Sequence, residues 1–300
     1  MTGSAVPPDL ASVPSPEEAS RGGGSSARVT VVLPCYNDGA LMVEAIGSIE
    51  ESEPVDVIVV DDGSTAAETV EVLERLAAEG IEVLFHDQNR GPGAARNTGL
   101  QAARTPYVFP LDADDLAVPG ALTTMADKLD DEPQAAVCFG DYLEFGTHDL
   151  VRAVPARLDP FRLAHVNEYP VTALFRRSVL LSLGGWRSFA AYEDWDLWLA
   201  LVEHGHGGVH LGPGKLTYRR RLHGDRTLAA GKRKHRELYG KIRSDHPGVF
   251  RELGRLRRES DLPLHRKLLY PIVYGSRPRF TFEQRVKRWL DRRGIWTLRR

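Results

Sequence analysis

From Arg28 onward, short β-branched runs alternate with stretches whose apolar residues recur every three to four positions. This pattern predicts a parallel sheet with crossover helices, since a strand buried on both faces reads as a continuous apolar run and the returning helix as an amphipathic one. The expected strands are VTVVLP (29–34), VDVIVV (55–60), IEVLF (81–85), YVFPL (107–111) and AAVCF (135–139). Between them, Leu41, Ala45, Ile46 and Ile49 predict a helix running up to Pro54. Val70, Leu73 and Leu76 predict a second that stops at Gly80, with further helices from Gly91 to Ala103 and over about 119–129.

Beyond 150 the rhythm loosens through VTALFRR (171–177) and a Gly184-Gly185-Trp186 turn. In EDWDLWLALVEHG, a helix starting near Glu193, apolar residues occupy most sides, so it is expected to be buried. Strand-like pieces follow at 207–211 and 216–221, then basic helices that include FTFEQRVKRWLDRRG (280–294). The predicted organisation is a disordered tail at 1–27, a mostly parallel α/β unit over 28–225, and a basic helical region over 226–300. The α/β unit divides into halves at 28–140 and 141–225.

With 42% hydrophobic and 27% charged residues in 300, the chain is neither wholly disordered nor membrane-embedded. No apolar run approaches the roughly 20 residues a spanning helix needs, and the tail lacks the basic start and apolar middle of a secretory signal. Two cysteines exclude a disulfide framework and a multi-cysteine zinc site, and point to a cytoplasmic location. Cys35 reads as a packed thiol rather than a nucleophile, with no histidine motif beside it. The net charge of −2 conceals an asymmetry: residues 1–214 hold 13 Lys and Arg against 33 Asp and Glu, and residues 215–300 hold 26 against 8. The basic third therefore faces something acidic, whether an anionic lipid headgroup, a phosphorylated substrate, nucleic acid or the acidic body itself.

In open α/β sheets ligands lie outside the carboxyl ends of the strands. Here those ends carry Pro34-Cys35-Tyr36-Asn37, Asp61-Asp62, Asn89-Arg90-Gly91 and Asp112-Ala113-Asp114-Asp115. Three carboxylates within four residues repel one another unless a cation or donor groups sit between them. Residues two apart in extended chain point the same way, so Asp112 and Asp114 can reach one ion while Asp115 binds it or caps the next turn. Such hard oxygen ligands favour Mg²⁺ or Mn²⁺. Trp186 offers an aromatic platform or ordinary core packing. Gly91-x-Gly93 lacks the full dinucleotide pattern after a first strand.

The motifs VTVVLPCYND, VIVVDDGS, NRGPGAARNTG, YVFPLDADD, FRRSVLLSLGGW and YEDWDLWLAL resemble, in order and spacing, those of family-2 glycosyltransferases with the GT-A fold. The resemblance covers roughly residues 28–225 and implies a metal-dependent, inverting transfer from a nucleotide-diphosphate sugar, usually UDP-linked, to a hydroxyl acceptor. It implies that Pro34, Tyr36 and Asp62 border the nucleoside, with Asp62 accepting from the base, and that Asn89 and Arg96 complete that pocket. Asp112 and Asp114 fill its D-x-D positions, and Asp115 matches an acid that ligates the metal in some relatives. Asp194, paired with Glu193, matches the catalytic base, in a first helical turn whose dipole favours an ionised carboxylate. His223 resembles a late R-x-H element that reaches the diphosphate or the metal. Arg219-Arg220-Arg221 departs from the Gln-x-x-Arg-Trp signature of processive relatives, which favours single-sugar transfer in glycan, glycolipid or cell-envelope polysaccharide synthesis.

Two rival readings are a sugar nucleotidyltransferase and a non-catalytic scaffold. The first wants a Gly-rich basic loop after the first strand, and Pro34-Cys35-Tyr36-Asn37 is not one. No nucleic acid is expected, because the basic region carries no recognised module. That region either lies at an anionic membrane surface, where lipid-linked acceptors reside, or packs on the catalytic body.

Overall fold

The structure is a computed structural model and describes residues 27–187, 189, 191–222, 228–274, 289 and 293. The first half runs β1 (Val29–Cys35), α1 (Gly39–Gly47), β2 (Val55–Asp61), α2 (Ala67–Ala78), β3 (Glu82–Phe85), α3 (Pro92–Ala102), β4 (Tyr107–Pro110), β5 (Leu116–Ala117), α4 (Ala121–Asp131) and β6 (Ala135–Phe139). It continues through β7 (Asp141–Phe145), β8 (Leu150–Arg152), α5 (Pro160–Leu163), β9 (Leu174–Arg176), α6 (Arg177–Ser182), α7 (Glu193–Glu203), β10 (Gly207–His210) and β11 (Leu216–Arg221). The helices α8 (Leu228–Asp245), α9 (Pro247–Arg251), α10 (Leu253–Glu259) and α11 (Leu264–Val273) follow.

A seven-stranded sheet has the order β10-β6-β9-β4-β1-β2-β3. β1 lies inside it with all seven residues buried, parallel to β2 and β4. This is why VTVVLPC carries no polar alternation. The registers Cys35 to Asp61 and Asp61 to Phe85 bring the carboxyl ends of β1, β2 and β3 to one edge. Leu111 N–H donates to Val32 O at 3.0 Å, so the chain leaving β4 emerges at the same edge. α3 lies directly on β1, where a Cβ at Gly99 would stand 2.3 Å from Val32 Cγ1.

Among the described residues the expected strands and helices form, with three differences. The first helix stops at Gly47, because Ser48 turns its hydroxyl back to Ala45 O (2.6 Å) and accepts from Ala117 N–H (2.8 Å). β9 enters the sheet antiparallel to both β4 and β6, so residues beyond 141 complete a sheet begun by the first half. A second, four-stranded sheet in the order β5-β11-β7-β8 was not expected: only β11 matches a strand-like piece of the sequence, and β5 and β8 hold only two and three residues.

The basic helices pack on the body as far as they are described. Tyr239 Oη donates to Ala164 O (2.7 Å), Ser260 Oγ to Asp159 (2.6 Å), and Tyr270 Oη to Glu168 (2.8 Å). His246, buried, sits between Asp196 (3.0 Å) and Glu203 (2.8 Å) of α7. Ile242, Val249, Leu256 and Leu262 join the hydrophobic core. The 280–294 segment lies outside the described residues except for Trp289 and Arg293, as does the tail through 26. Among the described residues no helix is long and apolar enough to cross a membrane.

Candidate active site

The loops after β1, β2 and β3 are tied to one another. Asn37, at φ 60°, accepts from Thr65 N–H (2.8 Å) and Ala66 N–H (2.9 Å), which satisfies donors at the start of α2, and its own N–H donates to Ser64 Oγ (2.9 Å). Asp61 caps the same turn through Ser64 N–H (3.1 Å). The Asp62 carboxylate, 3% exposed, contacts His86 Nδ1 (2.7 Å) and accepts from Arg90 N–H (2.9 Å) and Gly91 N–H (2.7 Å). It therefore orders the segment that opens α3, and about one of its four acceptor positions is left for a ligand. Tyr36, at the mouth of β1, is 43% exposed; Pro34 is buried in the strand end, and Asn89 is exposed on the rim. Cys35 is a packed thiol, and burial pushes its pKa up to about 11.

After β4 the three acids converge, one carboxylate oxygen from each of Asp112, Asp114 and Asp115 falling within 4.8 Å of the others. Asp115 is buried, and burial together with the charges of Asp112 and Asp114 raises its pKa well above the carboxylate range. β11 holds this loop from outside: Arg221 N–H donates to Asp115 (2.8 Å), its Nε to Asp114 O (3.0 Å), and its terminal nitrogen pairs with Glu44 (2.6 Å). Three hard oxygen donors under mutual repulsion fit a divalent cation of the Mg²⁺ or Mn²⁺ type.

Arg96, on α3 and 3% exposed, joins this cluster to the start of α7. Its two terminal nitrogens donate to Asp112 Oδ1 (2.6 Å) and Glu193 Oε1 (3.1 Å). Burial works against the guanidinium charge, but Asp112 and Glu193 outweigh it and raise the pKa further. Acids 81 positions apart in the chain thus share one buried cation. Next to Glu193, Asp194 accepts from Trp195 N–H (2.7 Å) and Asn167 Nδ2 (2.9 Å). Burial, then the neighbouring Glu193 charge, push its pKa up to about 6, against the pull of those donors and Arg96. A carboxylate so tuned is ionised at neutral pH yet a stronger proton acceptor than an ordinary aspartate.

Trp186 is not an open platform. Gly185, at φ 70°, leaves no room for a Cβ beside Asn97 Oδ1. The Asn97 side chain meanwhile clamps Trp186 N–H (2.8 Å) and C=O (2.7 Å), so the ring turns inward against Phe175 and is 2% exposed. His223 lies outside the described residues. Asn37 was named only as part of the first strand's end, without a role, and His86 and Asn167 were not singled out in the sequence. His86 directly follows a strand's carboxyl end, so the rule used for the acids reaches it, as it reaches Asn37; Asn167 sits in irregular chain that carries no such signal.

Residues 30–181 match the family described as Glycosyl transferase family 2. That is half the chain, and the chain belongs to this family. Among curated relatives, the succinoglycan biosynthesis protein ExoO of Rhizobium meliloti is 38% identical over 104 residues, covering 34% of this chain and 30% of that protein. The chain spans less than half the length of the curated relatives it matches. S. aureus TarS 1–349, solved in complex with UDP-GlcNAc, has TM-score 0.61 at 18% identity, covering 88% of this chain and 79% of that one. The mannosyltransferase PcManGT of Pyrobaculum calidifontis, solved with GDP-Man and Mn²⁺, has TM-score 0.55 at 18% identity and covers 92% of each chain. The mixed, mostly parallel sheet flanked by helices is the GT-A fold of these neighbours.

Proposed function

We propose that this chain transfers a single sugar, with inversion, from a nucleotide-diphosphate sugar to an acceptor hydroxyl, in the synthesis of a glycan, glycolipid or cell-envelope polysaccharide. A UDP-sugar is the first donor to test, since TarS was solved with UDP-GlcNAc, and GDP-mannose the second, after PcManGT. The name of ExoO supports polysaccharide biosynthesis as the setting. The observation that carries the reading is the buried Arg96 bridge, which holds Asp112 at the end of β4 against Glu193 at the start of α7. A donor-binding acid and the pair containing the expected base are thereby drawn to one mouth.

In this reading Tyr36, Asp62 and Asn89 border the nucleoside at the ends of β1, β2 and β3. Asp112, Asp114 and Asp115 would hold the Mg²⁺ or Mn²⁺, which when bound would stabilise negative charge on the departing diphosphate. Asp194 takes the proton of the acceptor hydroxyl as its oxygen bonds to the anomeric carbon, while the bond from that carbon to the diphosphate oxygen breaks on the opposite face. Asn167 and the Trp195 N–H keep the Asp194 carboxylate aimed. The test is a screen of nucleotide sugars for hydrolysis and transfer, with Asp194→Asn as control. The variant is expected to bind nucleotide normally and to lose about a hundredfold or more in turnover, the usual worth of a general base. Unchanged turnover removes Asp194 from the role.

A further inference from the structure

The basic C-terminal region packs on the body with one face and leaves another bare. On α11, Tyr270 is buried and bonded to Glu168, and Leu269 packs against the core. Leu264, Leu268 and Ile272 follow at four-residue steps and so form one stripe along the helix. They are 73%, 53% and 48% exposed. Single apolar residues on a surface need no explanation, but a contiguous row of large aliphatic side chains marks an interaction surface. The stripe has a basic border: exposed His265 adjoins it, and Lys267 Nζ donates to Arg258 O (3.2 Å), which brings the Arg257-Arg258 end of α10 alongside. Further along the chain, exposed Trp289 has the Arg293 guanidinium 4.1 Å from its ring centre.

We infer that α11 docks on an anionic bilayer, with Leu264, Leu268 and Ile272 entering the boundary between headgroups and acyl chains while the flanking cations meet lipid phosphates. Charge complementarity selects this occupant. From residue 215 the chain carries 26 Lys and Arg against 8 acids, so a second copy pairing through the same stripe would bring like charge to it, whereas an anionic surface complements it. α11 has ten residues and contains Pro271, so it lies on the surface and does not cross. The inference rests partly on the proposed transfer and deepens it. α11 grips Glu168, and the adjacent Asn167 holds Asp194, so docking surface and base share one short segment, and a lipid-anchored acceptor is the class this arrangement favours.

The test is co-sedimentation of the full chain with phosphatidylcholine vesicles, with and without phosphatidylglycerol, for the wild type and for Leu264→Ser/Leu268→Ser/Ile272→Ser. Because these side chains are exposed, the variant is expected to fold and to retain wild-type nucleotide-sugar hydrolysis in solution. The wild type is expected to bind the anionic vesicles, less so at high salt, and the variant to bind about tenfold or more weakly. The inference is overturned if the wild type stays in the supernatant, or if the variant binds equally well. It is also overturned if the stripe instead drives self-association in sedimentation velocity. If vesicle binding behaves as expected but neither protein hydrolyses any nucleotide sugar, the docking surface stands and the transfer reading falls.

Discussion

Replacing Arg96 with Met removes the cation between Asp112 and Glu193 while keeping much of the side-chain volume. The guanidinium makes two charge-assisted bonds, at 2.6 and 3.1 Å, and its side chain is 3% exposed. Breaking a buried pair costs about 3–5 kcal/mol, chiefly because uncompensated charge is left behind. Here the stranded carboxylates keep 35% and 17% of their exposure, so water relieves part of the penalty and about 3 kcal/mol is expected. Urea unfolding followed by the fluorescence of the five tryptophans reads this directly. At a slope of about 3 kcal/mol per molar, the midpoint falls by about 1 M with the slope unchanged. Arg96 also helps to hold the Asp194 pKa down, so the acid limb of the variant's rate profile moves above the wild-type position. Arg96→Lys keeps the charge but loses the planar fork, and falls between the two. A change under about 1 kcal/mol, with the acid limb unmoved, refutes the bridge as the element joining the two acid groups.

Three further outcomes follow from the same geometry. With its pKa raised to about 6, Asp194 gains a proton as pH falls through that value, so wild-type turnover declines below about pH 6; a profile flat down to pH 5 contradicts its role. The sign for stability is opposite: the fold favours the protonated carboxyl, so that contribution is present below the ordinary carboxylate range and is lost as pH rises through about 6. Thermal melting at pH 7.5 should therefore find Asp194→Asn at least as stable as wild type. Gly185→Ala sets a Cβ 2.1 Å from Asn97 Oδ1 at φ 70°, and should cost about 2–4 kcal/mol in urea unfolding through strain and a displaced Asn97 clamp; a loss under about 1 kcal/mol shows that the turn gives way.

The main sheet was legible because β1, β2, β4 and β6 are apolar runs in a parallel framework, a pattern no exposed strand imitates. The second sheet was not, because its pairings join segments as far apart as Leu116 and Arg219, and no local periodicity encodes them. The acids after β4 were legible by the rule that ligands gather at strand ends. Their link to Glu193 was not, since it runs through an arginine in mid-helix whose role appears only once α3 lies on β1. Trp186 misled for a related reason: an aromatic after two glycines is compatible with a platform or a plug, and Asn97, 89 residues earlier, decides for the plug. The charge asymmetry was plain from the outset, and it leads both to a packed face, where His246 meets Asp196 and Glu203, and to the exposed stripe of α11.

In the proposed function Asp112, Asp114 and Asp115 form a cation site serving a nucleoside diphosphate at the ends of β1, β2 and β4. Calorimetric titration of UDP and GDP into the full chain, with Mn²⁺ or with chelator, and repeated on Asp114→Asn, tests it most directly. One of the two nucleotides should bind with Mn²⁺, and binding should weaken by about tenfold or more on chelation and in the variant, at least what an outer-shell metal partner is worth. No binding of either nucleotide in the presence of Mn²⁺, or binding indifferent to both chelator and substitution, contradicts the claim.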